Sequence, residues 1–487
     1  MSTNPARRAA PRVGEKRLRG LGASTGVLAV SISAAFAASA ACSGVPTAPP
    51  GAFAVACTLG PPSAGPALAP ADHDPQDFPE RMDLFPVGVA AGDVDATTAI
   101  FWTRYLGDQR TRLWVLERDD GVNPILYTRV AIDAPTCAAN DEGIVKLVAT
   151  GLHPGRTYDY LFLDEDLNGA LLGRSRIGTL RIPPSAGLLA PVTFVASADT
   201  AISRAPFELL SHVAVENADF FIFLGDTVYA DPAVTRVEYR AFYEDNWSDP
   251  SLQALMAAMP FYAIWDDHEV FNSWDPTTID PDRLAAARGA FLEYNTVRES
   301  PAEPTRLWRS YRRGDTLEIF ILDCRGERRP ADGVYISPEQ LAWLETGLRD
   351  STAVFKIIVH GVPITEMAGV SLAFDRWEGF PAQRDEILGF IAAEAIRHVY
   401  WLTADMHMAF IGDLPEYSGH EVGVGPIAAG LNPDRALQVA QAPNIEFVEA
   451  IFNYAILTAD PLSIPPTLTV SMRDVTGAEF HRVVLQD

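Results

Sequence analysis

From Pro191 onward, five short apolar runs each lead into aspartate or histidine. Residues 193–197 lead into Asp199, residues 220–224 into Gly225-Asp226-Thr227-Val228-Tyr229, and residues 261–265 into Asp266-Asp267-His268-Glu269. Residues 355–359 lead into His360, and residues 399–403 into Asp405-Met406-His407. Continuous apolar runs this short predict strands buried on both faces. Helices are expected between them. Ser337-Pro338-Glu339-Gln340 combines a cap, a proline at the first helical position and a glutamine three residues after the cap. Leu341, Leu344 and Leu348 then share one face. Another helix is expected over 383–397. Strands alternating with helices make an α/β core, and ligands of such sheets gather beyond the carboxyl ends of the strands. All five clusters fall there. One aspartate after a strand reads as a helix cap and one histidine as a core or loop residue. Five clusters together suit two adjacent metal ions held by carboxylate and imidazole, and paired metals suit hydrolysis of phosphate esters.

The charge balance agrees. Asp and Glu number 63 against 38 Lys and Arg, a net charge of -25. Nucleic-acid binding needs the opposite sign, whereas a surplus of carboxylates can serve cations. With 48% hydrophobic and 21% charged residues, a disordered chain, a collagen and a coiled coil are excluded. At 487 residues, two or three domains are expected. Residues 467–474 alternate like a strand, and Thr476-Gly477 turns into a last one. The Pro- and Gly-containing segment 408–466 is expected to carry loops over the site.

The first 42 residues read as an export signal: a basic head, an uncharged small-residue run from Leu21 to Cys42, and a cleavable Ala-rich end. Arg7-Arg8 is a twin-arginine pair, and Ser39-Ala40-Ala41-Cys42 resembles a lipoprotein box without its usual Leu, which would attach a lipid to Cys42 and the chain to a membrane. Residues 43–80, rich in Pro, Ala and Gly, read as a tether in which Pro75 and the Pro pairs break regular elements. An oxidising destination would permit a Cys42–Cys57 bridge; Cys137 and Cys324, in separate expected domains, are expected unpaired. Residues 81–187 show short aromatic-rich strands and turns. Within them, Gly151-Leu152-His153-Pro154-Gly155 feeds a strand of alternating aromatics, like a corner of a fibronectin-III/Ig-like β-sandwich. Residues 188–487 are expected to form the metal-binding domain.

The order Asp199, Gly225-Asp226-Thr227-Val228-Tyr229, Asp267-His268-Glu269, His360, Asp405-Met406-His407 resembles the calcineurin-like metallophosphoesterases, and within them the alkaline phosphatase D (PhoD-like) family. Phe85-Pro86-Val87-Gly88-Val89-Ala90-Ala91-Gly92-Asp93, Trp265-Asp266-Asp267-His268-Glu269 with Asn272 and Trp274, Leu322-Asp323-Cys324-Arg325 and Thr403-Ala404-Asp405-Met406-His407 are similar to signatures of that family. The resemblance implies a four-layered sandwich of two mixed sheets flanked by helices. It also implies an exported hydrolase of phosphate mono- and diesters, small or polymeric. Its metals would be iron, ferric at Tyr229, and a second divalent ion such as calcium, zinc or manganese. By the resemblance Asp226 bridges the two metals, with Asp199, Tyr229 and His407 at the first and Asp267, His360 and Asp405 at the second. By the same resemblance a metal-bound hydroxide would attack in line, with His268 as proton donor or electrostatic partner.

Other positions keep two readings. Asn272 binds phosphate or caps a turn. Arg325 neutralises substrate charge or pairs with a carboxylate. Asp266 lies behind the ligands or is structural, Glu269 orients a ligand, and Trp265 belongs to the core. His73, His212, His398, His420 and His481 read as structural. The family commonly has Cys directly after Ser in the first cluster; here Ala198 follows Ser197, and Asp199 comes one position later. In an extended strand that shift changes the face, so Asp199 serves only if the chain has already turned. Two alternatives follow: a phospholipase-type phosphodiesterase acting on membrane lipid, and an inactive relative binding a phosphorylated polymer.

Overall fold

The five apolar runs become strands at Val192–Ser197, Phe220–Leu224, Phe261–Ile264, Phe355–Val359 and Val399–Thr403. The first three are parallel neighbours in one sheet; Tyr454–Asp460 runs antiparallel beside the first of them, followed by Thr467–Arg473 and Glu479–Leu485. The other two lie side by side in a seven-stranded sheet that also holds Arg309–Arg313, Leu317–Ile321, Ala409–Leu414, Gly419–Gly423 and Ile445–Glu449. Both sheets are mixed. The computed structural model describes residues 57–60, 70–119, 125–300, 302–367, 369–370 and 373–486. The export signal, Arg7-Arg8 and Cys42 lie outside these residues.

Alternation within each strand shows why the runs are apolar throughout. In Phe220–Leu224, Phe220, Ile222 and Leu224 pack between the two sheets, while Phe221 and Phe223 pack with residues of the helices Arg236–Trp247, Pro250–Ala258 and Pro281–Tyr294. In Val399–Thr403, Tyr400 and Leu402 face the inter-sheet core, and Trp401 faces the helices Pro338–Asp350 and Pro381–Ala393. The result is helix, sheet, sheet, helix. Ser337 caps its helix as its sequence predicts, accepting from Gln340 N at 3.1 Å. The helix expected over 383–397 runs from Pro381 to Ala393. Segment 408–466 is more ordered than expected: it supplies three strands to the second sheet, one to the first, and the short helix Pro433–Val439.

The N-terminal β region is not free-standing. Its strands Val89–Gly92, Thr98–Arg104, Ile144–Thr150 and Cys57–Leu59 extend the first sheet to ten strands, joined where Gly92 pairs with Phe261. A third sheet of Arg110–Asp119, Leu126–Pro135, Thr157–Glu165, Leu171–Arg174 and Gly178–Arg181 packs on this extension through Leu113, Val115, Tyr160 and Phe162. Thr98–Arg104 also turns Trp102 the other way, where its indole donates to Glu293 O at 2.7 Å. Asp93, wholly buried, takes a two-pronged contact from Arg309 at 2.9 and 3.0 Å.

Two expectations near the N-terminus are overturned. Cys137 is paired with Cys57, Cα–Cα 6.3 Å, and so is not free; Cys324 is buried and unpaired. The reading of 43–80 as a tether placed Cys57 outside the fold, but Cys57 pairs with Leu147 in the sheet. Nor does Pro75 only break structure: it opens a short 3-10 helix, Pro75–Asp77, capped by Asp74. No helix among the described residues is long and apolar enough to cross a membrane.

Candidate metal centre

The strand ends deliver their polar residues to one place because the backbone turns there abruptly. Among the described residues nine non-glycine positions have positive φ, and four are Asp199, Asp226, Asp405 and His407. Such backbone costs about 1–3 kcal/mol per residue and marks functional sites when it clusters. Asp199, at φ +64, has turned off its strand, which meets the condition set by its one-residue shift. The turns are stitched together: Thr200 N donates to Asp226 O, Ala428 N to Asp199 O, and Ala404 N to Gly361 O, at 2.9–3.0 Å. Gly225 precedes Asp226 at φ +97, where a Cβ would stand 2.6 Å from that of Asp266. Only glycine lets these two strand ends approach so closely.

Three sets of donor atoms each lie within 4.8 Å of one another: Asp199, Asp226 and His407; Asp226, Asp267 and His268; and Asp266, Asp267 and Asp405. Asp226 and Asp267 are shared, so the sets are contiguous. Both oxygens of Asp199 and Oδ1 of Asp267 are buried with no hydrogen-bond partner. Burial raises the carboxyls of Asp199, Asp226 and Asp405 well above the usual range, and their acidic neighbours raise them further. Buried carboxylates are ordinarily hydrogen-bonded or paired. Unpartnered oxygens aimed at one another are what a cation would satisfy, and oxygen with imidazole donors suits iron, zinc, manganese and, for the all-carboxylate set, calcium.

His407 has one ring nitrogen fixed and the other turned to the first set. Its Nδ1–H donates to the Gly430 carbonyl, so Nε2 carries the lone pair and stands 2.9 Å from the Tyr229 hydroxyl and 3.8 Å from Asp199 Oδ1. A backbone carbonyl fixing the tautomer is the usual support of a metal-binding imidazole. Tyr229 thereby stands beside the first set. Burial and then Asp226, Asp199 and Asp267 push its phenol well up, and a cation among them would act in the opposite sense.

His360 has different surroundings. The Trp377 indole N–H donates to Nδ1 at 3.3 Å, and Nε2 faces Glu421 Oε1 at 3.1 Å. Nδ1 accepts that bond, Nε2 is buried with no hydrogen-bond partner, and His360 belongs to none of the three sets. Asp266 stands with Asp267 and Asp405 instead.

Arg325 also departs from its expected place as a substrate-side catalytic residue. It is 0% exposed, so substrate cannot reach it. Its guanidinium grips Asp266 through Nε at 2.7 Å and Nη2 at 2.9 Å and meets Asp375 through Nη1 at 2.6 Å. It lies 3.8 Å from Asp267 and 3.7 Å from Asp405. Of its two readings, carboxylate pairing is the one realised. Burial alone would raise Asp375, but Arg325 and Arg328 outweigh it and hold that carboxyl down at about 2. Glu269 orients rather than ligates: it accepts from the backbone N–H groups of Asp226, Thr227 and Asp266 at 2.6–3.2 Å.

His268 has a partner that the sequence reading missed. Its Nδ1–H donates to Asp231 at 2.7 Å, its ring stacks on Tyr229 with centroids 4.0 Å apart, and Nε2 has no protein hydrogen bond among the described residues. Burial would lower this imidazole, but Asp231 and Asp267 outweigh it and raise it. Asp231 stands two residues after Tyr229, so the signal was there. The backbone N–H of Asn272 donates to Asp231 at 2.7 Å, and Asn272 lines the cavity. That cavity, about 210 Å³, is also lined by Asp375, Arg376, Asn432 and Arg435, none of them singled out in the sequence.

Two mixed sheets between helix layers, with carboxylates and imidazoles gathered at their strand ends, define the class of the metallophosphoesterases. Within it, the model of the PhoD-like phosphatases matches residues 194–455, and that of their N-terminal domain matches residues 69–184. The chain belongs to the PhoD-like phosphatase family, which places it among the hydrolases of phosphate esters. It is 25% identical over 451 residues to alkaline phosphatase D of Bacillus subtilis, spanning 77% of this chain and 76% of that protein. The solved structure of PhoD superposes with a TM-score of 0.70 at 23% identity, covering 82% of this chain and 89% of that one. A purple acid phosphatase from yellow lupin (Lupinus luteus) seeds superposes at 0.56 with 14% identity, covering 82% and 73%. These two likenesses speak for the fold.

Proposed function

We propose that the protein is an exported, metal-dependent phosphoesterase cleaving phosphate mono- and diesters at a site of at least two metal ions. The observation that carries this reading is the three contiguous donor sets with buried, unpartnered carboxylate oxygens. Asp199, Asp226, Tyr229 and His407 would hold the first ion, iron by its phenol donor. Asp226, Asp267, Asp266 and Asp405 would hold a second, divalent ion. When bound, such ions supply charge neutralisation at the phosphoryl oxygens and an activated water. The rest is done by the chain itself. Glu269 and Arg325 hold the ligand-bearing turns in register. Asp231 keeps His268 turned with Nε2 away from its own bond and favours the protonated ring, so Nε2–H can be given to the departing oxygen. Asn272 orients substrate at the mouth.

Export is supported by the Cys57–Cys137 bridge, since disulfides persist in oxidising compartments. For the N-terminal region, 81–187, we propose a fibronectin-III-like sandwich ahead of a metallophosphatase domain at 188–487. Its support is the pair of packed sheets and Tyr158, whose hydroxyl accepts from His153 N at 2.8 Å in the manner of a tyrosine corner.

Elemental analysis of the purified protein, with hydrolysis of a phosphate ester before and after chelation, tests the reading. At least two metal equivalents, iron among them, and chelator-sensitive hydrolysis are expected. One equivalent or none after resupply of metal would overturn it in favour of a binding protein on this fold. Asp231→Asn tests the proton donor. It is expected to lower kcat about tenfold or more for an alkyl ester, and less for a nitrophenyl ester whose leaving group needs no proton. KM and metal content should stay put. Equal losses on both esters would remove His268 from the acid role.

A further inference from the structure

The cavity presents Asp226, Asp267, Asp375 and Asp405 to an anionic substrate, and besides the imidazoles of His268 and His407 two guanidinium groups, Arg376 and Arg435, line it. Arg376 is 1% exposed and already engaged: Nε donates to Glu378 at 3.0 Å, and Nη2 meets the same carboxylate. Arg435 is half-buried, and its guanidinium makes no hydrogen bond or ion pair with any described residue. It is nonetheless held in place. Its backbone N–H donates to the Asn432 side chain at 3.3 Å as the helix Pro433–Val439 begins. Ala436 and Val439 of that helix pack with Met406, Met408 and Phe410, the stretch that carries His407. Gly430, just upstream, accepts the His407 Nδ1–H. The segment that fixes the His407 tautomer therefore also delivers an uncommitted arginine to the same cavity.

Resting on the phosphoesterase reading, we propose that Arg435 binds the non-bridging oxygens of the substrate's phosphoryl group. This is the charge-neutralising part that Arg325 cannot play from its buried position. A guanidinium matches two phosphoryl oxygens with parallel N–H donors. Arg435 lines the same cavity as Asp226, Asp267 and Asp405, which puts it within the space a phosphoryl group at those donors would occupy.

Calorimetric titration of inorganic phosphate into the metal-loaded full chain, alongside steady-state kinetics, tests this. Arg435→Ala is expected to weaken phosphate binding and raise KM by about ten- to a hundredfold, with metal content and melting temperature unchanged. Arg435→Lys should recover part of the loss. Arg435→Met retains the aliphatic stem and gives the same readout should alanine loosen the helix. Phosphate bound equally by wild type and Arg435→Ala, or by neither, would overturn the inference. So would a KM increase confined to esters bearing a second anionic group. Phosphate binding that depends on Arg435 in a protein that hydrolyses no ester would leave this inference standing and remove the phosphoesterase reading. Hydrolysis indifferent to Arg435 would do the reverse.

Discussion

Asp226→Asn is expected to abolish turnover, by about a thousandfold, and to strip metal, while the metal-free protein melts higher than metal-free wild type. Asp226 belongs to two of the three donor sets, so its loss opens both. Without a cation it is one of several buried acids in mutual repulsion. Burial raises it first, then Asp267, Asp266, Glu269 and Asp199. The sign follows from linkage. These carboxyls titrate higher in the folded chain than near 4, their unfolded range. Between the two values the folded state binds more protons, so metal-free stability falls as pH rises. It is fully present below the unfolded values and lost through the folded ones, which for Glu269 lie at about 7. Calorimetric melting of chelated protein from pH 5 to 8 should show a falling melting temperature in wild type, a shallower fall in Asp226→Asn, and little slope in metal-loaded wild type. A variant that melts lower than wild type at pH 8 without metal would mean that Asp226 is chiefly a structural hydrogen-bond acceptor.

Arg325→Ala is expected to cost about 3–5 kcal/mol of folding stability, the largest loss we anticipate from any single side chain at the site. Removing the guanidinium leaves Asp266 and Asp375 buried and unpaired, with Asp267 and Asp405 closing on them unscreened. Arg325→Lys should recover little, because one ammonium cannot reproduce the two-pronged grip on Asp266 with a third bond to Asp375. Denaturant titration of the metal-loaded protein measures this. A variant of wild-type stability with a raised KM would return Arg325 to the substrate.

What the sequence revealed and what it hid divide along one line. The five strands were legible because burial on both faces makes them continuously apolar, and their ends were legible because Asp and His stand out against such runs. The role of each acid or imidazole depends on partners brought to it by the fold. Asp231 and His268 could have been matched from the loop after Tyr229. His360 and His407 look equivalent after their strands. What separates them is a carbonyl at Gly430 for one, and Trp377 with Glu421 for the other. Arg325 was undecidable for the same reason: its carboxylates stand 59 and 50 residues away. Asp199 turned on the sign of one φ angle. Cys57 was assigned to a tether because its surroundings are Pro- and Gly-rich, while its partner lies 80 residues on.

The join between Gly92 and Phe261 has a consequence for how such a protein can be divided. A module linked by a hinge can be exchanged, deleted or swung aside while its neighbour keeps its shape. Here the leading β region supplies the strand that flanks Phe261–Ile264, the strand that runs into Asp266 and Asp267. Cutting the chain at the sequence boundary would bare main-chain donors and acceptors along the flank of the catalytic sheet, a surface prone to pairing with other chains. The leading β region is therefore continuous with the sheet that carries Asp266 and Asp267, and its position relative to them is set by main-chain pairing.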